Sequence, residues 1–203
     1  MFTTFSLSTA PAPHHCFSFD EKDVSAHVVL HPLHDQPIGD FTIDFSYRLS
    51  KITPNPPLLS YATPGRFNEL TIMFDHANYG NSRGLSFPIH GKELNVFHRV
   101  TMTLKNTKVL MYWDRELIAE KQVKKYVLVN GGAWVLGQEQ DEVRGGFDPN
   151  QRVIGSICDF RMWNAGLDKN GVKEFFKKPD TITVDPIFDS PPTYRYEKQN
   201  GAY

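Results

Sequence analysis

Phe41-Thr42-Ile43-Asp44-Phe45-Ser46-Tyr47 alternates apolar with polar side chains along its whole length. A period of two sets one face of a strand on a core and turns the other toward solvent or a second layer. The same rhythm returns at Leu70, Ile72 and Phe74, and at Val100, Met102 and Leu104 against Thr101, Thr103 and Lys105. Short apolar runs at Val109 to Trp113, Tyr126 to Val129 and Trp134 to Leu136 read as further strands. Turn formers punctuate them: Pro54, Pro56 and Pro57, then Asn78-Tyr79-Gly80-Asn81, Asn130-Gly131-Gly132 and Gly145-Gly146. Val109 to Ile118 reads as strand, tight turn, strand. Many short strands without a long helical stretch predict an all-β antiparallel sandwich or jelly roll.

One helix is expected near Asp168 to Lys178. Asp168 can cap it, and Val172, Phe175 and Phe176 fall on one face. Lys177 and Lys178 suit its C-terminal end, and Pro179 stops it. Its expected place is the outside of a sheet, over apolar side chains. Residues 1–14 read as a leader or extension, and residues 15–203 as a single domain with no internal repeat.

The chain of 203 residues is 40% hydrophobic and 22% charged, enough to build a core. Its 22 Lys and Arg against 23 Asp and Glu leave a net charge of −1. That balance argues against a nucleic-acid groove or a polybasic membrane surface. No apolar run approaches the ~18 residues that would span a bilayer. MFTTFSLSTAPAPHH has no basic n-region and no long apolar core, so it does not read as a signal peptide. The expectation is then the mature form of a secreted protein, or a cytosolic one. Cys16 and Cys158 are too few for a disulfide scaffold and wrongly spaced for a zinc ribbon. They are either two separate buried thiols or one bridge, which over a loop of about 140 residues would contribute roughly 5 kcal/mol.

The chemistry-bearing cluster is Gly137-Gln138-Glu139-Gln140-Asp141-Glu142, followed by Gly145-Gly146-Phe147-Asp148 and Gln151. Carboxylates mixed with amide oxygens on a glycine-containing loop can wrap a hard cation such as calcium, which takes about six to eight oxygens. A solvated acidic turn is the plainer alternative. Glu139 and Asp141 have the i, i+2 spacing of a jelly-roll glycosidase pair, but Glu142 and the glycines after it break that pattern. Cys158 sits in a strand pattern and nothing in the chain suggests a nucleophile triad, so no enzyme is expected. His27, His31 and His34 cluster locally but flank Pro32, and they read as surface histidines rather than metal ligands. No Asn opens a glycosylation sequon.

These residues resemble the pentraxins, the family of C-reactive protein and serum amyloid P component. The strongest block is Leu136-Gly137-Gln138-Glu139-Gln140-Asp141 with Gly145-Gly146-Phe147, Gln151, Gly155-Ser156-Ile157 and Met162-Trp163. Ser60-Tyr61-Ala62-Thr63 leading to Asn68-Glu69-Leu70, and Met111-Tyr112-Trp113-Asp114, add to it. The resemblance runs from about Cys16 to Phe176. It implies a two-sheet, lectin- or laminin-G-like jelly roll with one short helix on one face, assembled as a homo-oligomer, often a ring of five.

It also implies one or two calcium ions per protomer, bridging to phosphocholine, phosphoethanolamine or acidic sugars. Glu139, Asp141, Asp148 and Gln151 would offer side chains, Gln140 its backbone carbonyl, and Asn68 would reach in from another loop. Phe67 stands where the family usually has Asp, which takes a carboxylate from one ion. Asp148 stands where Glu is common. Met73 would receive choline methyl groups, and Glu93 would meet a quaternary ammonium. Asp44 and Val100 occupy the positions of the family's two cysteines. The jelly roll sets first and late strands side by side, which favours a Cys16–Cys158 bridge and an oxidising compartment. The implied function is secreted, calcium-dependent pattern recognition in innate immunity. The alternative is an interaction or carbohydrate-binding module of the same fold with weakened or lost calcium sites.

Overall fold

A computed structural model describes residues 15–74, 76–80, 82–87, 93–188 and 196–199. The leader 1–14 and the segment 189–195 lie outside the described residues. The strands are β1 (Cys16–Phe19), β2 (His27–Leu30), β3 (Phe41–Lys51), β4 (Leu59–Thr63), β5 (Arg66–Ile72), β6 (His76–Tyr79) and β7 (Ser82–Ser86). They continue with β8 (His98–Lys105), β9 (Lys108–Trp113), β10 (Glu116–Gln122), β11 (Ala133–Leu136), β12 (Ile154–Trp163), β13 (Pro186–Phe188) and β14 (Tyr196–Gln199). They form two antiparallel seven-stranded sheets. The first runs β1-β12-β3-β8-β9-β10, with β13 also on β12, and the second β14-β2-β11-β4-β5-β6-β7. This is the jelly roll that the alternation predicts.

Phe41, Ile43, Phe45 and Tyr47 of β3 pack between the sheets with Leu70, Ile72, Val100, Met102, Trp113 and Trp134, all buried. Trp113 meets Tyr47, Phe74 and Phe87 in one aromatic cluster. The β9–β10 turn at Asp114 and Arg115 takes positive φ at both residues, the geometry that suits a two-residue hairpin.

The helix α1 (Lys169–Lys177) forms as expected, with the Asp168 side chain accepting from Gly171 N. It lies on the outer face of the first sheet, where Val172 and Phe176 pack on Leu110 and Tyr112. That face is therefore a second buried layer. Thr42 donates to the Ala165 carbonyl, and Thr103 exchanges hydrogen bonds with the backbone of Leu167. Asp44 is buried there too, and accepts from both nitrogens of the Arg99 fork at 2.9 and 2.7 Å, from Thr101 at 2.7 Å and from Arg161 at 3.3 Å.

Two local expectations are corrected. Tyr126 to Val129 is not a strand: only Leu128 pairs, in an isolated bridge with Ile38, because the side chains of Tyr126 and Leu128 pack inward from a connecting loop. His27 is not a surface residue: it opens β2 fully inside the second sheet, with Nδ1 at 2.8 Å from the Ser25 carbonyl. Cys16 and Cys158 are bridged, as a cross-strand pair of β1 and β12 with Cα atoms 4.0 Å apart.

Candidate functional site

The acidic segment begins where β11 ends. Gly137 takes φ +88°, and a Cβ there would lie 2.4 Å from the Phe19 ring, so only glycine turns the chain at this point. Gln138 forms a bridge with Arg152, and Val153 N donates to the Gly137 carbonyl, so the segment 138–152 leaves and re-enters the sheet at one neck. At its tip Glu142 and Gly145 exchange both backbone hydrogen bonds, with Arg144 and Gly146 at positive φ. Gly146 lets the return strand press on Asp141, whose Cβ would be 2.7 Å from an added one.

Alternation along the first residues sends the side chains to different tasks. Gln138 donates to the carbonyls of Val24 and Ala26. Gln140 is fully buried and donates to the Ser60 and Ala133 carbonyls, while its Oε1 accepts from Arg144 N. The implied carbonyl ligand is thus on a residue whose side chain is locked. Glu139 between them is 7% exposed, and among the described residues its Oε1 has no hydrogen-bond partner. Burial, and then the charge of Asp141, push its carboxyl up to about 7. A buried acceptor without a donor is an expensive arrangement in a folded chain. It is a good one for a cation, which supplies the missing charge. Glu139 Oε1 thus offers a cation one buried, negatively charged oxygen.

The other expected residues are placed less uniformly. Asp141 is exposed and Gln151 half-buried on the same segment. Asp148 turns its Oδ1 to Asn150, accepting from the backbone and the side-chain amide. Asn68 is half-buried on β5, beside Phe67, which is 39% exposed. Among the described residues no three His, Cys, Asp or Glu side chains gather around one point. Met73 is buried in the turn between β5 and β6, where its N–H donates to the His76 carbonyl. Glu93 stands before β8, with its carboxylate 3.5 Å from His98 Nε2.

Reading the sequence missed two supports of this region. Glu69, next to Asn68, is fully buried and takes the Tyr126 hydroxyl at 2.6 Å on both oxygens, with Arg66 closing the group. Tyr126 is 57 residues away in sequence, so no local signal connects them. The second support is the run from Phe19 to His27, which touches the acidic segment at Gly137, Gln138, Phe147 and Arg152.

The comparisons with known proteins agree with this architecture. The profile of the Pentaxin family matches residues 15–187. Serum amyloid P-component of Rattus norvegicus is 30% identical over 168 residues, covering 77% of this chain and 71% of its own. C-reactive protein of the same species is 26% identical over 172 residues, covering 79% and 72%. Among solved structures, a native heptameric pentraxin from Limulus polyphemus, described as like serum amyloid P component, superposes with a TM-score of 0.70. It shares 18% identity and covers 87% of this chain and 86% of its own.

Proposed function

The chain belongs to the pentaxin family, a family of recognition proteins rather than enzymes, and from that premise we propose that it is a secreted, calcium-dependent pattern-recognition protein. The buried, unpartnered oxygen of Glu139 beside Asp141 carries this reading. Glu139, Asp141, Asp148 and Gln151 offer side-chain oxygens to one or two ions, Gln140 offers its carbonyl, and Asn68 reaches in from β5. When bound, calcium keeps open coordination positions that a phosphate or carboxylate oxygen can complete. The ligand class is phosphocholine, phosphoethanolamine or an acidic sugar.

The disulfide supports an oxidising, extracellular location. Among the described residues no helix is long and apolar enough to cross a membrane. The heptameric Limulus relative supports assembly of this chain into a ring. There several weak sites engage a ligand array together and gain avidity.

A calcium titration by calorimetry, with thermal melts in calcium and in chelator, tests the reading. Binding in the micromolar to millimolar range and a raised melting point are expected, and Asp141→Asn should abolish both. Phosphocholine and phosphoethanolamine should then bind only the calcium-loaded protein. No heat and no shift in melting would overturn calcium-dependent recognition. Phe67 favours a second reading, in which the same fold serves as an interaction or carbohydrate-binding module with weakened or lost calcium sites.

A further inference from the structure

The acidic segment does not stand alone at its neck. Phe19, the last residue of β1, lays its ring against Gly137. Two residues on, the Glu21 carbonyl accepts from Arg152 Nη2 at 2.9 Å. The Val24 and Ala26 carbonyls hold the Gln138 amide at 3.1 and 3.2 Å. The His27 ring then packs on Phe147, with centroids 4.3 Å apart. Both ends of the neck and one point inside the loop are thus touched by one short stretch, 19–27.

That stretch hangs from a four-residue edge strand. Its outer end is fastened at Cys16–Cys158, and by His15 and Asp159, which exchange two hydrogen bonds beside the bridge. A short edge strand frays readily unless it is tied. The tie here is covalent, and Cys16 is its exposed partner whereas Cys158 is fully buried.

We propose that residues 16–27 are a positioning arm for the cation-binding loop, and that the Cys16–Cys158 bridge keeps the arm in place. Opening the bridge therefore weakens the loop's hold on a divalent cation. The inference rests on the calcium reading above. The reductant is a dithiol. One of its thiolates attacks Cys16 Sγ, the S–S bond breaks, and Cys158 leaves as a thiol. The second thiol of the reductant then displaces Cys16 and closes the reductant's own disulfide. Two electrons pass to the protein, and the reductant's two protons end on the two cysteines. Arm residues touch no ion; they act by fixing the backbone that presents Glu139 and the Gln140 carbonyl.

The test compares oxidised protein, protein reduced by dithiothreitol and the Cys16→Ser/Cys158→Ser variant. Each is measured by calcium calorimetry and by amide hydrogen exchange in chelator. Loss of the tie is expected to weaken calcium about tenfold with unchanged stoichiometry, the scale found when supports behind a metal's ligands are removed. Exchange over 138–152 should quicken while that of β8 and β9 stays slow. Phe19→Ala, with the bridge intact, should reproduce the faster exchange, and it carries the test if reduction melts the whole domain. Equal affinity and equal protection in all forms would overturn the proposal. If the oxidised protein binds no calcium, the calcium reading fails. Exchange over 138–152 in chelator then decides alone whether the arm orders the loop.

Discussion

Asp44 and Glu139 are both buried carboxylates, and the chain treats them in opposite ways. On the outer face of the first sheet, Asp44 is closed by Arg99, Arg161 and a threonine hydroxyl, all beneath or beside α1. Burial works against the charge of Arg99, yet Asp44 outweighs it and holds the guanidinium above its usual range. Glu139, just after β11, receives no cationic side chain among the described residues and keeps one oxygen unpartnered there. A carboxylate completed from within belongs to the scaffold. One left incomplete is suited to something that arrives from outside.

The largest test of this contrast is Asp44→Ala. It strands two guanidiniums under the helix and should cost about 3 kcal/mol in urea denaturation, with calcium affinity unchanged. A loss below about 1 kcal/mol would show that water already satisfies the cluster.

Glu139→Gln should do the reverse. Calcium affinity is expected to fall at least about tenfold, whereas the metal-free fold should gain stability. The sign follows from the raised carboxyl: the folded state holds the proton more tightly than the unfolded one. The contribution of Glu139 to stability in chelator is thus fully present below the ordinary glutamate range and is lost as pH rises toward about 7. Thermal melts in chelator between about pH 4 and 8 should show this contribution as the difference between the native protein and Glu139→Gln, the variant gaining on the native protein as pH rises. A native slope identical to that of the variant would break the comparison.

The smallest effect is expected from Phe67→Asp. The ring is 39% exposed, so its loss costs little, and a carboxylate beside Asn68 should tighten calcium binding by about threefold to tenfold or add an ion. An unchanged titration would mean that this corner of β5 takes no part in holding metal.

Much of this contrast was legible before any coordinates. The alternation at Phe41 to Tyr47 located the core face of β3, and Asp168, Val172 and Phe175 marked α1 with its cap. The block from Leu136 to Gln151 marked the loop by residue type alone. What could not be read depends on partners far along the chain. Asp44 meets Arg99 and Arg161 across separations of 55 and 117 residues, and period two says only which face it is on. Glu69 and Tyr126 are hidden in the same way. The run Tyr126 to Val129 misleads because apolar residues on a loop that dips into the core look like a short strand. The histidine cluster misleads because proximity in sequence does not separate a β2 core position, His27, from the exposed His34.

The bridge between β1 and β12 joins residues 142 positions apart, and so makes most of the domain a single closed covalent circuit. A protease that cuts one peptide bond anywhere between Cys16 and Cys158 opens the circuit without releasing a piece. Such a nicked molecule gains only a water, and its two pieces stay covalently joined through the bridge. For a protein read as working among extracellular proteases, damage at a surface turn becomes a scar and not a loss of parts.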